Sequence, residues 1–288
     1  MIDILPVTPD DPTVAFLESH LDSSIFLLFA LAQFGPRAGA EALSGNFWRI
    51  EEGGRTVGVF CLTRKGDLLL QTAGRTDLAL VILDACARET TPLTGVVAEW
   101  SAASSIWDVL VESGQVRPVY ESNKLLCRLD LNRAPTRVRT ECRRLSPDDF
   151  EQWDPLYTAH IAEEGAPSPG DSQQRAAAFR RMVDGQCPWW GAFTGTTLVS
   201  IVALNAHYRT SAQIAGMYTR AEARGRGHAR ALMTAVLRDG WESFSLRRVV
   251  LLVNEDNTPA RRLYKSMGFV TKSRFGFLFG RAGTAPLA

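Results

Sequence analysis

One stretch constrains this chain more than any other: Thr219 to Ala229, TRAEARGRGHA. A strand-like run, AQIAGMYT, passes through an Arg- and Gly-rich turn straight into a helix. Ala229, Leu232, Met233, Val236 and Leu237 recur at the i, i+3, i+4, i+7, i+8 spacing of one apolar helical face. Gly225 and Gly227 let the backbone turn and come close to a ligand, while the first amides of the helix lack intrahelical acceptors and carry partial positive charge. Arg224 and Arg226 add full charges beside them. The layout suits a phosphate, although a Gly-rich turn can also be merely tight. The two common nucleotide loops are missing: there is no GxxxxGK(S/T), and no GxGxxG followed by an acid about 20 residues on.

Any anion site must be local, because the composition supplies no general field. The 288 residues hold 32 Lys and Arg against 31 Asp and Glu, a net charge of +1, which argues against nucleic acid or an anionic membrane as partner. With 45% apolar and 22% charged residues the chain can build packed cores. Its length is close to twice the roughly 150 residues of one domain. The longest apolar run, Ile25 to Ala32, falls far short of the about 20 residues that span a bilayer. The start, MIDILPVTPDD, is acidic and lacks the basic beginning and apolar core of a secretory signal, so the expected compartment is the cytoplasm. Cys61, Cys86, Cys127, Cys142 and Cys187 are odd in number, scattered and never in a CxxC pair, which argues against a disulfide framework or a zinc site.

A domain break is expected at Asp130 to Val138, DLNRAPTRV, between the strand-like runs KLLCRL and TECRRL. Before it the pattern predicts a helix over about Thr13 to Phe34, strands at FWRIEE, RTVGVFCL and DLLLQT, a helix at DLALVILDACARE, a strand at LTGVVAEW, a helix at SAASSIWDVLVESG, and strands to Leu131. After it, helix starts are read at Ser146, at Asp154 before Pro155, and at Asp171, whose helix stops at Gly185. The strands WWGAFT, TLVSIVAL and AQIAGMYT form an antiparallel meander. RRVVLLVN reads as a strand buried on both faces, feeding a helix at TPARRLYKSM that Gly268 closes.

RGRGHA fits the pattern RxxGxA through Arg224, Gly227 and Ala229, and follows the strand GMYT. Here the sequence resembles the GNAT acyltransferase superfamily. A second block agrees: in LLVNEDNTPARRLYKSMGF, the residues Asn257, Ala260, Leu263, Tyr264, Gly268 and Phe269 match that family's later motif. The resemblance covers about Thr140 to Gly280 and implies acetyl-CoA (coenzyme A) as cofactor. By this likeness the backbone of Met217, Tyr218 and Thr219 borders the pantetheine arm. Amides from Arg224 through Gly225, Arg226, Gly227, His228 and Ala229 to Arg230 cradle the pyrophosphate. Asn257 bonds the cofactor by this likeness, caps the helix that begins at Thr258, or does both.

Tyr264 shares a helix face with Ala260, Leu263 and Met267, where an aromatic can simply pack. The family position gives it another part: a phenol near the thioester sulfur, able to protonate the leaving thiolate. His228 opens the helix beside two Arg and is read as facing phosphate or solvent rather than as a base. AQIAGMYT carries no carboxylate to deprotonate an amine. Glu163 and Glu164, with His160 one turn earlier, remain as candidate bases or as solvated loop charges, and ordered water is a further relay. Of Trp189 and Trp190, one is expected to pack inward and the other to line the cleft.

Placing Gly114 on Gly268 aligns GVVAEW with VVLLVN and the two helices that follow. Ala103 then stands where Asn257 is, and Leu110 where Tyr264 is, and no RxxGxA turn follows DLLLQT. The fold class expected is α/β: two GNAT-like domains, each a mixed, mostly antiparallel central sheet flanked by helices. Residues 1–131 are read as a degenerate copy and 139–281 as a catalytic N-acetyltransferase domain. The expected activity is acyl transfer from acetyl-CoA to a primary amine by direct attack in a ternary complex, without metal. The acceptor is a small-molecule amine or an amine of a protein or peptide; the rival reading is a catalytically silent CoA-binding or scaffolding module.

Overall fold

The computed structural model describes residues 2–8, 12–136, 141–185 and 187–283. Residues 137–140, the end of the expected linker and the beginning of TECRRL, lie outside the described residues. Two compact units emerge. The first comprises Met1–Leu126 together with Val253–Thr258 and Thr271–Ala288, and the second Cys127–Leu252 with Pro259–Val270.

In the first unit, β1 (Ile2–Pro6), β2 (Gly45–Glu52), β3 (Arg55–Thr63) and β4 (Asp67–Gln71) pair antiparallel in sequence order. β4 then runs parallel to β5 (Gly95–Glu99). α1 (Thr13–Ser19) and α2 (Leu21–Phe34) lie against β3 and β4. The single helix read over Thr13 to Phe34 breaks at His20, whose φ of −118° and ψ of 35° leave the helical region. α3 (Ala79–Cys86) and α4 (Trp100–Glu112) bury Ile82, Leu83, Ile106, Trp107 and Leu110 against Ile50, Phe60, Leu62, Leu68 and Val96. β6 (Val116–Asp130) is one long strand where several were read.

The last strand of the chain, β12 (Val270–Ala282), also belongs to the first unit from Thr271 on. It pairs antiparallel with β5, Phe275 opposite Glu99 and Phe279 opposite Gly95. Alternation explains the placement: Leu278 enters the core beneath α4, while Phe275 and Phe277 point the other way and meet Phe26 of α2 at 5.9 and 6.2 Å between ring centroids. The division at 131 and 139 expected from the linker therefore leaves β12 with the wrong neighbours, since its ladder is built on β5.

In the second unit, β7 (Cys142–Arg144), β8 (Trp189–Thr194), β9 (Thr197–Tyr208) and β10 (Ser211–Thr219) form the antiparallel meander, and β10 runs parallel to β11 (Arg248–Asn254). A 3-10 turn at Pro147–Asp149 leads into α5 (Phe150–Glu163), and α6 (Ser172–Asp184) follows. Their side chains Trp153, Leu156 and Phe179 pack on Trp189, Ile201 and Tyr218. α7 (His228–Ser243) lies on the strands with Leu232, Met233, Val236 and Leu237 buried, as its spacing requires. α8 (Thr258–Ser266) completes the order.

One expected helix start is absent. Asp154 does not cap a new helix before Pro155; α5 runs through both residues. The Asp154 carboxylate instead accepts from Arg175 Nε and Nη2 at 2.5 and 2.8 Å, tying α5 to α6. The starts at Ser146 and Asp171 are real, each with reciprocal side-chain and backbone bonds of a capping box.

Candidate functional site

The parallel ladder of β10 and β11 holds from Ser211↔Arg248 to Ile214↔Leu251 and goes no further, although β10 continues to Thr219. On the other edge of β10, Ala215 pairs with Ala203 and Tyr218 with Ile201, so Gly216 and Met217 bulge opposite Val202. Gly216 has φ +64°, and a Cβ there would lie 2.6 Å from the Trp189 ring. The strand thus leaves its partner and kinks just before the Arg- and Gly-rich turn. Ser200 Oγ donates to the Tyr218 carbonyl at 2.8 Å and lies 2.8 Å from Thr219 Oγ1, fixing the strand's end.

The turn itself ends at Gly227, whose φ of +85° is left-handed and which caps α7 without any side-chain cap bond. The first bond of the helix runs from the Ala231 amide to the Gly227 carbonyl. Among the described residues no backbone acceptor takes the amides of Gly225, Arg226, Gly227, His228, Ala229 and Arg230. Added Cβ atoms at Gly225 and Gly227 would meet nothing within 4 Å, so the space beside both glycines is open. Six unclaimed donors at the positive end of a 16-residue helix are what a pyrophosphate needs, and the residues present fit that group.

The charges around the turn are not equivalent. Arg226 is exposed and makes no ion pair among the described residues. Arg230 sends its guanidinium to the Ser266 hydroxyl at the end of α8. Arg224, read as a cation for phosphate, is engaged elsewhere. Its Nη2 donates to both oxygens of Glu163 at 2.8 and 2.9 Å, its Nε donates to the Thr219 carbonyl at 2.9 Å, and its guanidinium lies 5.2 Å from the centroid of the Tyr218 ring. Tyr218 Oη adds a third bond to Glu163 Oε1 at 3.2 Å. Burial first, then the Glu163 charge and hydrogen bond, raise the Tyr218 phenol above its ordinary pKa. His160 stands near, 6.1 Å between ring centroids from Tyr218.

Tyr264 is buried on α8, at 5.7 Å from the Phe269 ring. Burial, then the charge of Glu164 and the neighbouring Cys127, push its phenol well above the usual range, so it holds its proton. Glu164 and Tyr264 are thus brought within electrostatic reach, while Glu163 turns to Arg224. Asn257 is exposed in the turn before α8, its amide donating to the Asn254 carbonyl at 3.1 Å.

Both tryptophans are buried. Trp189 joins Trp153 and Tyr157 under α5, at 5.1 and 5.7 Å between centroids. Trp190 faces the opposite way and donates through Nε1 to Asp239 of α7 at 2.9 Å. Sequence reasoning missed the bulge at Gly216, which a glycine inside a strand signals, and the Glu163–Arg224 pair, which no local spacing can show.

Residues 148–269 match the model of the acetyltransferase (GNAT) family, and that part of the chain belongs to the GNAT acetyltransferase superfamily. Solved structures of similar fold span the whole chain. A GCN5-related N-acetyltransferase from Sphaerobacter thermophilus is 17% identical, covers 100% of this chain and 98% of its own, and gives a TM-score of 0.56. A GNAT-family acetyltransferase from Colwellia psychrerythraea is 12% identical over 97% of this chain and 100% of its own, with a TM-score of 0.54. A tandem GNAT protein from the clavulanic acid biosynthesis pathway is 18% identical over 99% and 100%, with a TM-score of 0.50. No curated protein matches by sequence. The chain has the tandem GNAT architecture, and among the described residues no helix is long and apolar enough to cross a membrane.

Proposed function

We propose that the second unit is an acetyl-CoA-dependent N-acyltransferase that uses a primary amine as acceptor. The observation that carries this reading is the row of six unclaimed amides, Gly225 to Arg230, opening α7 where β10 has left β11. These amides and the Arg226 charge would hold the pyrophosphate, and Met217, unpaired in the bulge, would offer its backbone to the pantetheine arm. Bound there, acetyl-CoA supplies an activated acetyl thioester. Tyr264 keeps a proton on Oη across the ordinary pH range and would donate it where a thiolate departs. Burial keeps that proton in place first, and the Glu164 charge adds to it. The amine's own proton would pass to water or to a carboxylate at the end of α5.

Calorimetry with acetyl-CoA, followed by thiol release across a panel of small amines and amine-bearing peptides, tests this. One site per chain and acceptor-dependent thiol release are expected. One observation favours the rival reading of a silent CoA-binding module: Glu163, a candidate base, already accepts from Arg224 and Tyr218, and β10 carries no carboxylate. Tight binding without thiol release from any acceptor would decide for that module.

A further inference from the structure

We infer that Arg224 is a positioning residue that shapes the turn and couples it to the end of α5, leaving the cofactor's phosphates to the amides and Arg226; this rests on the proposed cofactor site. Two of its nitrogens are committed to protein acceptors. Nε closes the chain from Thr219 to Arg224 through the Thr219 carbonyl, and Nη2 grips Glu163 through both carboxylate oxygens. Tyr218 supports the arrangement from below, with its ring under the guanidinium and its hydroxyl on the same carboxylate. A guanidinium held at Nε and Nη2 over an aromatic ring has a fixed plane.

Glu163 is the last residue of α5, and the chain from Glu164 to Gly170 leads on to α6. The far end of that loop is pinned by another arginine: Arg175 Nη1 donates to the Gly170 carbonyl at 2.6 Å while Nε and Nη2 hold Asp154. That second clamp is well shielded, its side chains 14% and 16% exposed. The Arg224–Glu163 pair is 47% and 54% exposed, the weaker of the two. The loop is therefore held firmly at one end and adjustably at the other, where it meets the anion-binding turn. Through this pair, ordering of the turn and ordering of the loop become one event.

The test uses Glu163→Gln, Arg224→Gln, the double variant and Arg226→Gln in the full chain. For acetyl-CoA, each single change at the pair should weaken binding by about 3- to 5-fold, the double by no more than either, and Arg226→Gln should add independently. A direct phosphate ligand predicts the opposite sign: Glu163→Gln would free Arg224 and tighten binding, while Arg224→Gln alone would cost tenfold or more. That pattern overturns the proposal. Amine KM should rise with kcat unchanged in Arg224→Gln, and Arg224→Lys should not rescue it, since an ammonium cannot hold both acceptors in one plane. Hydrogen exchange of the Glu164 to Gly170 amides, measured without ligand, is the independent arm. Faster exchange in both Glu163→Gln and Arg224→Gln, but not in Arg226→Gln, supports coupling, and unchanged exchange refutes it. Absence of acetyl-CoA binding to the unaltered protein would defeat the proposed function alone, leaving the exchange result to judge the pair.

Discussion

The two units carry the same strand geometry and opposite turns. The offset that puts Gly114 on Gly268 also puts Val97 on Leu251, and those are the residues at which the parallel ladders end, Leu69↔Val97 in the first unit and Ile214↔Leu251 in the second. Each unit therefore opens its sheet at the same place. Beyond the opening they diverge. In the second unit the turn presents six free amides. In the first, the Ala73 amide donates to Gln71 Oε1 at 2.7 Å, the Arg75 amide to the Thr72 carbonyl, and the Ala79 amide to the Thr76 carbonyl. Arg75 is claimed by Asp77 and Glu52, whose hydrogen bonds and charges raise its pKa further. A turn that surrounds its cation with carboxylates has little to offer an anion. The strand order and ladder ends are shared between the repeats, and the turns differ in the carboxylates that claim Arg75 in the first unit.

The largest effect that can break this comparison is at the repeat position held by Tyr264 and Leu110. Tyr264→Phe removes one oxygen and keeps the ring, so single-turnover thiol release should fall by about 100-fold or more while acetyl-CoA affinity and stability change little. A wild-type single-turnover rate would return Tyr264 to a packing role. The reciprocal change, Leu110→Tyr, should confer nothing on the first unit. Leu110 is 1% exposed in its core, and an unpartnered hydroxyl there should lower stability by about 1–3 kcal/mol in urea unfolding.

Next comes the turn glycine. Gly227 and Gly74 both have left-handed φ, +85° and +82°, and both face open space. Valine at either position meets the same backbone penalty, about 1–2 kcal/mol or more for a β-branched residue. Gly227→Val should reduce acetyl-CoA affinity by about 10- to 100-fold, and Gly74→Val should leave it untouched while costing comparable stability. Equal effects of the two on binding would place a second cofactor site in the first unit.

The elements of both units were legible because their periods are clean: the α7 stripe and the meander stand where spacing puts them. Two features were not. β12 finds its place through pairing formed across most of the chain, its ladder with β5 among it, and no local pattern announces which strand a run such as SRFGFLFG will join. Arg224 looks like a phosphate ligand in RGRGHA because its partner, Glu163, is brought to it by the tertiary fold alone. Gly216 was within reach of sequence reasoning, since a glycine between apolar strand residues commonly marks a bulge. Its counterpart by ladder register is Gln71, whose side-chain amide donates to the Ser23 hydroxyl and accepts from the Ala73 amide. Gly216→Ala should force the Trp189 ring to move and cost about 1–3 kcal/mol, read as a lowered urea midpoint with unchanged slope.

The smallest expected effect separates the units by pH. α1 begins after Pro12 with no side-chain cap, whereas the turn leading into α5 is closed by Ser146 and Asp149 in a capping box. Arg143 donates to both Asp149 oxygens at 2.7 and 2.6 Å, and the Ser146 amide adds a bond at 2.8 Å. The Arg143 hydrogen bonds, against the opposing cost of burial, hold the Asp149 carboxyl below its ordinary pKa. Because the folded value is depressed, this group's stabilisation is fully present above the unfolded carboxylate value. It is lost as pH falls from there through the folded one. Acid should therefore loosen the start of α5 while leaving the start of α1 unaffected by this route. In Asp149→Asn the capping contribution, about 1 kcal/mol, should be missing at neutral pH, and the difference from wild type should shrink as the solution is acidified below the carboxylate range. Amide exchange at Phe150 to Trp153 against pH, compared with that at Thr13 to Phe16, reads the two helix starts separately. A difference between variant and wild type that stays constant down through that range would show that Asp149 acts by shape rather than by charge.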